Sequence, residues 1–259
     1  MTLANQKGGV GKTTSTVNLA AALSQGGLTV LVVDADPQGN ASTALGVDHH
    51  GDVPGTYDVL VDGTPIADVV AQCPDLPGVT CVPATVDLSG AEIELVPEVA
   101  REYRLRKSLK AYLGGLDHPP DFVLVDCPPS LGLLTLNALV AADEVMVPIQ
   151  CEYYALEGLA QLLRTVDLVK ANLNPPLTVT TVLLTMYDGR TRLASDVAQQ
   201  VRDLFGDRVL KAAIPRSVRL SEAPSHLQTV MTYDPTSSGA LSYLEAAREI
   251  CEKGGAEHG

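Results

Sequence analysis

The sequence predicts a doubly wound α/β fold: a mostly parallel sheet with helices on both faces. Three observations carry that expectation. Short runs rich in Val, Leu and Ile alternate with helical patterns along the chain. The runs are nearly continuous in apolar residues, as strands buried on both faces are. A glycine-rich turn links the first run to the first helical pattern, the join expected of a strand–turn–helix unit.

Taken in order, strands are expected at 2–6, 28–34, 79–83, 122–126, 144–149 and 179–186, with 209–214 and 229–231 as later additions. Helices are expected at 12–25, 100–113, 133–142, 154–172 and 192–205, and a last one at 238–252. Strand–helix–strand crossovers of this kind are right-handed. No repeat, low-complexity tract or linker divides residues 1–259, so the chain reads as one domain.

Bulk composition narrows the classes. A hydrophobic content of 46% supplies a sizeable core, and no run approaches the roughly 20 apolar residues of a membrane span. Met1 leads almost directly into the glycine-rich turn, so the expectation is that no signal peptide or N-terminal module comes first. The five cysteines (73, 81, 127, 151 and 251) are scattered and form no C-x-x-C pair. They read as reduced core thiols of a cytoplasmic protein rather than a disulfide framework or metal site. A formal charge of −13 opposes bulk attraction to nucleic acid or anionic lipid. Residues 187–222 depart from it with seven basic and five acidic side chains, a net +2 that leaves −15 on the remainder.

The turn itself, Lys7 to Thr14, reads K-G-G-V-G-K-T-T. An ordinary phosphate-binding loop has glycine, four residues, then Gly-Lys-Ser/Thr. Gln6 stands where that first glycine belongs, and the glycines fall instead at Gly8, Gly9 and Gly11. Backbone N–H groups of Gly8, Gly9, Val10 and Gly11, opening onto a helix N-terminus, form an anion site. Lys12 is placed to reach β- and γ-phosphates, and the hydroxyl of Thr13, beside Thr14, to complete a magnesium shell. Lys7 adds a second cation at the head of the loop, able to serve its own subunit or a partner.

Open α/β sheets bind ligands at the carboxyl ends of their strands. Asp34-Ala-Asp36-Pro-Gln and Asp126-Cys-Pro-Pro follow predicted strands, whereas Asp143-Glu144 precedes one and reads as a solvated turn. Asp126 is placed to bind magnesium through a water ligand, Asp36 to orient or deprotonate an attacking water, and Asp34 to support the metal shell. Each could instead cap a helix or a turn, as aspartate often does.

K-G-G-V-G-K-T-T, V-D-A-D-P-Q-G-N and V-D-C-P-P-S-L-G together resemble the deviant Walker-A ATPases of the ParA/MinD superfamily. A-E-I-E-L-V-P (91–97), Q-C-E-Y-Y-A-L-E-G-L (150–159) and I-P-R-S-V-R-L-S-E-A-P-S-H (214–226) are similar to its chromosomal ParA/Soj branch, and the likeness spans essentially the whole chain. The resemblance implies ATP and Mg²⁺ as cofactors, with Lys7 as the signature lysine reaching the partner subunit's nucleotide in a homodimer. It implies Asp36 as the hydrolytic acid, Pro215 near the adenine and Arg216 beside it. It further implies that the ATP-bound dimer binds double-stranded DNA without sequence preference, through Arg190 and Arg219. A ParB-type partner would then release it by stimulating hydrolysis, at a cytoplasmic, nucleoid-associated location. Family members usually carry several more apolar residues before the loop, so the first strand is expected to be short or the natural start to lie upstream.

Three other readings share the nucleotide residues. A MinD-like membrane ATPase would end in a basic amphipathic helix, whereas residues 248–259 are short, acidic and glycine-broken. A nitrogenase-type reductase would need cluster-holding cysteines, and only Cys127 is near the site. A cargo-positioning scaffold with negligible turnover differs mainly in its partner.

Overall fold

The computed structural model describes residues 1–153 and 157–256. The chain opens with β1 (Thr2–Leu3), α1 (Lys12–Gln25), β2 (Val30–Asp34), α2 (Asn40–Ala44) and α3 (Ile66–Val69). It continues with β3 (Ala71–Gln72), β4 (Val79–Val82), α4 (Leu88–Glu94), α5 (Arg104–Gly114), β5 (Phe122–Asp126) and α6 (Leu133–Ala141). The remainder is β6 (Glu144–Gln150), α7 (Glu157–Asn172), β7 (Thr178–Tyr187), α8 (Arg192–Phe205), β8 (Val209–Pro215), α9 (Val218–Glu222), α10 (Val230–Tyr233) and α11 (Ser238–Ala256).

The strands form one eight-stranded sheet in the order β3-β4-β2-β5-β1-β6-β7-β8. Every neighbour pair is parallel except β3 with β4. In β2 all five residues are buried, and its side chains alternate between two cores. Leu31 and Val33 join a cluster with Leu105, Leu134, Leu162 and Val197 from α5 to α8. Val30 and Val32 join the opposite cluster with Val17, Leu23, Tyr243 and Ile250 from α1 and α11. The period of two along a strand thus feeds both faces, which is why the apolar runs in the sequence are unbroken.

Four expectations are corrected. The first strand spans Thr2–Leu3 rather than 2–6, because Asn5 draws the chain out of the sheet: its amide donates to Pro148 O at 2.7 Å, and its Oδ1 accepts from Lys7 N at 3.0 Å. Residues 229–231 are not a strand but enter α10, where Asn18 Oδ1 accepts from Val230 N at 2.8 Å and Tyr233 N donates to Thr229 O at 3.0 Å. Glu144 is the first residue of β6 rather than part of a solvated turn, and it accepts from the Thr180 hydroxyl at 2.5 Å. The helix expected at 100–113 begins as a 3₁₀ turn at Arg101–Tyr103. Of the helix expected at 154–172, residues 154–156 lie outside the described residues.

Candidate nucleotide site

The carboxyl ends of β2 and β5 lie side by side, with Asp34 in register with Asp126 and Ala35 N donating to Asp126 O at 2.9 Å. The glycine-rich loop wraps over this edge. Val10 is buried and anchors it, its carbonyl accepting from the Thr185 hydroxyl at 2.8 Å. Gly11, at φ +88°, immediately precedes α1, a left-handed position that glycine takes without strain. The free N–H groups of the first turn of α1, with the positive end of its dipole, then face the loop. Gly8 lies against Pro129 of the Asp126 loop, while Gly8 and Gly9 are exposed.

Lys12, Thr13 and Asp126 converge. Thr13 Oγ1 donates to Asp126 Oδ2 at 2.7 Å, and Thr16 Oγ1, one turn further along α1, donates to Oδ1 at 3.0 Å. Burial raises the carboxyl pKa of Asp126, and the charge of Asp34 raises it further. Lys12 is only 6% exposed, and its Nζ reaches the Lys7 carbonyl at 3.4 Å. Its pKa is lowered by burial, against the opposing charges of Asp126 and Asp36. Asp36 is buried, and its Oδ1 accepts from Gln38 N at 3.0 Å.

Asp34 is buried beside this group but turned elsewhere. Its Oδ2 accepts from Ser42 N at 2.8 Å and Ser42 Oγ at 2.7 Å, and its Oδ1 from Asp36 N at 3.2 Å. Burial also raises its pKa. The side chain therefore ties α2 and the Asp36 turn to β2, and its hydrogen bonds go to Ser42 and Asp36 rather than to Thr13. Lys7 is half-buried, its Nζ 3.8 Å from Glu152. The other oxygen of Glu152 lies 3.3 Å from Arg216.

Next to the loop lies a cavity of about 420 Å³. Gly11, Thr13 and Thr14 line it together with Thr185, Met186, Pro215 and Arg216. Tyr243 of α11 also lines it and hydrogen-bonds Ser15 at 3.1 Å. Residues some two hundred positions apart in sequence thus share one pocket.

Arg190 lies in a turn, whereas Arg219, expected on a late loop, stands in α9, and both are paired within the chain. Arg190 grips both oxygens of Asp188 at 2.8 Å, and Arg219 contacts Glu222 at 3.0 Å and Asp234 at 3.3 Å. The charge of Arg216 also acts on Asp188, so the Arg190 turn is electrostatically linked to the I-P-R turn.

Several site residues were not singled out in the sequence. Thr16 carried a signal, standing three positions after Thr13 on the same helical face. Ser42, Glu152 and Tyr243 carried none, since their roles depend on packing between distant segments.

Residues 1–179 match the family model described as an AAA domain. The chain is 51% identical over 252 residues to the sporulation initiation inhibitor protein Soj of Bacillus subtilis, covering 97% of this chain and 98% of that protein. It is 50% identical to the chromosome partitioning protein ParA of Caulobacter vibrioides, covering 98% and 94%. The chain belongs to the ParA/Soj family of partitioning ATPases. Among solved structures it resembles the protein named cobyrinic acid a,c-diamide synthase from Mycobacterium smegmatis, bound to ADP and magnesium, with a TM-score of 0.81. That pair is 39% identical, covering 96% of this chain and 92% of the other.

The ParA/Soj loop of this chain also suits magnesium. Among the described residues no group of three or more His, Cys, Asp and Glu could hold a metal alone. Magnesium rarely asks for such a cage: one carboxylate, a hydroxyl, waters and phosphate oxygens suffice. Thr13 and Asp126 are the donors that fit it, the hydroxyl in direct contact with the carboxylate.

Proposed function

We propose that this chain, acting as one unit over residues 1–259, is an Mg²⁺-dependent ATPase whose ATP-bound homodimer binds duplex DNA without sequence preference. A ParB-type protein releases it by stimulating hydrolysis, and its location follows the nucleoid. The observation that carries the reading is the convergence of Lys12, Thr13, Asp36 and Asp126 on one sheet edge, beside a cavity lined by Pro215 and Arg216. In this reading the triphosphate lies on the N–H groups of residues 8–14, and the base sits against Pro215 in the 420 Å³ cavity.

Each residue has a task that its setting allows. Lys12, partly desolvated, places a full positive charge where phosphate charge develops. Thr13 and Asp126 would hold the magnesium ion, which neutralises β- and γ-phosphate oxygens when bound, while Asp34 positions the Asp36 turn beside them. Asp36 orients the attacking water and accepts its proton. Lys7 leaves Glu152 and reaches the partner subunit's nucleotide, which makes closure of the pair depend on triphosphate.

Arg190 and Arg219 serve as the DNA contacts. These ion pairs are exposed and screened by water, so exchange for DNA phosphates costs little. Dimerisation doubles those contacts, and affinity depends steeply on contact number and salt. A chain of net charge −13 can then stay off DNA as a monomer and bind as a pair.

Sedimentation of an Asp36→Ala variant with ATP, ADP or no nucleotide tests the cycle. The expected result is dimer with ATP and Mg²⁺ only, duplex DNA co-sedimenting with that dimer, and turnover reduced at least a hundredfold. A mass that is unchanged by ATP overturns the proposal.

A further inference from the structure

A second concavity, of about 650 Å³, shares no lining residue with the nucleotide cavity. It runs along α5, where Arg104, Lys107, Ser108, Ala111, Tyr112 and Gly115 line one side. Their three- and four-residue spacing is that of one helical face, and at 1.5 Å per residue the row is roughly 16 Å long. Val59 and Ile66, both buried, form part of the opposite wall. Val99 stands 90% exposed at the mouth.

The charge of the α5 side of this groove contradicts the chain as a whole, whereas the lining segment 58–68 carries Asp58, Asp62 and Asp68 and no base. Residues 101–110 hold five of the 18 basic side chains and one acid, a net +4 within a chain of −13. Arg101 and Arg104 are neutralised locally, by Glu102 and Glu98. Among the described residues, Lys107 and Lys110 make no ion pair, and both are exposed. The lining contains Arg104 and Lys107 but no carboxylate.

We propose that this groove docks an acidic amphipathic helix of a partner protein, its apolar side against Val99, Ala111 and Tyr112 and its carboxylates against Lys107 and Lys110. An apolar trough about three turns long is the geometry of helix-in-groove recognition. Unneutralised cations along one rim select the sign of the incoming charge. The proposal is independent of the nucleotide reading, because it uses none of those residues.

The test uses a fluorescein-labelled helical peptide of about 16 residues, chosen to span the groove. Its Leu residues sit at i, i+3, i+4 and i+7, with Glu on both flanks. A second peptide replaces each Glu by Lys, and an unlabelled DNA duplex serves as competitor. The full-length protein should bind the acidic peptide at least tenfold more tightly than the basic one. Lys107→Glu with Lys110→Glu should weaken that binding about tenfold, and Ala111→Trp, which fills the trough from an exposed helical position, should do so at unchanged charge. Thermal melts and nucleotide affinity of the variants should match the parent, separating failure here from failure of the nucleotide reading.

Equal binding of both peptides, no binding of the acidic one, or indifference to all three substitutions overturns the proposal. Displacement of the peptide by duplex, with duplex binding itself lost in the double lysine variant, also overturns it, because the patch then belongs to nucleic acid.

Discussion

Asp34 and Asp126 show how a single side chain's surroundings set its behaviour. Both are fully buried and adjacent, so burial, reinforced by mutual repulsion, favours their protonated forms. The folded protein then holds protons that the unfolded chain gives up near pH 4. Stability without metal should therefore fall as pH rises from about 4 towards about 8. Asp126→Asn, neutral at every pH, should flatten that fall, make the metal-free protein more stable than its parent at pH 8 and abolish Mg²⁺-dependent nucleotide binding. Urea titrations at a series of pH values with a chelator present check the first two outcomes. A slope unchanged by the substitution would remove Asp126 as its source.

At the scale of elements, the turns constrain the site as firmly as the strands. Gly39 begins α2 at φ +62°, and a Cβ there would stand 2.6 Å from His49 Nδ1 and 2.9 Å from Ala84 O. Gly39→Ala should cost about 1–3 kcal/mol through backbone strain and this clash. It should read as a lower urea midpoint at an unchanged m-value. It should also weaken turnover more than nucleotide binding, since Asp36 O accepts from Gly39 N at 2.9 Å. The elements legible in the sequence were those with long apolar or helical signatures: α1 at 12–25 and β5 at 122–126 agree to the residue. What escaped was short. β3 has two residues, and α2, α3, α9 and α10 have four or five, too few to display a period. The loop and both acids after the strands were readable because their chemistry is local. The hold of Ser42 on Asp34 and of Tyr243 on Ser15 is tertiary, and nothing within a window of sequence encodes it.

For the whole molecule, the proposed DNA role sets a chain of net charge −13 against a polyanion. Arg190→Ala or Arg219→Ala should weaken binding of the ATP-bound form to unrelated duplexes by similar factors. Each should lower the slope of log affinity against log salt by about 1 per lost phosphate contact. Fluorescence anisotropy at several salt concentrations, with the dimer confirmed by sedimentation, measures this. A loss confined to one sequence would mean base readout instead. Among the described residues no helix is long and apolar enough to cross a bilayer.

Glu152 gives the free protein a resident anion. Its two oxygens bridge Lys7 at the head of the loop and Arg216 on the pocket wall. Any anion that approaches either cation must displace a tethered rival that already holds both. Freeing Lys7 for a neighbouring subunit therefore means breaking a contact the chain makes with itself, and Arg216 keeps the carboxylate when it goes.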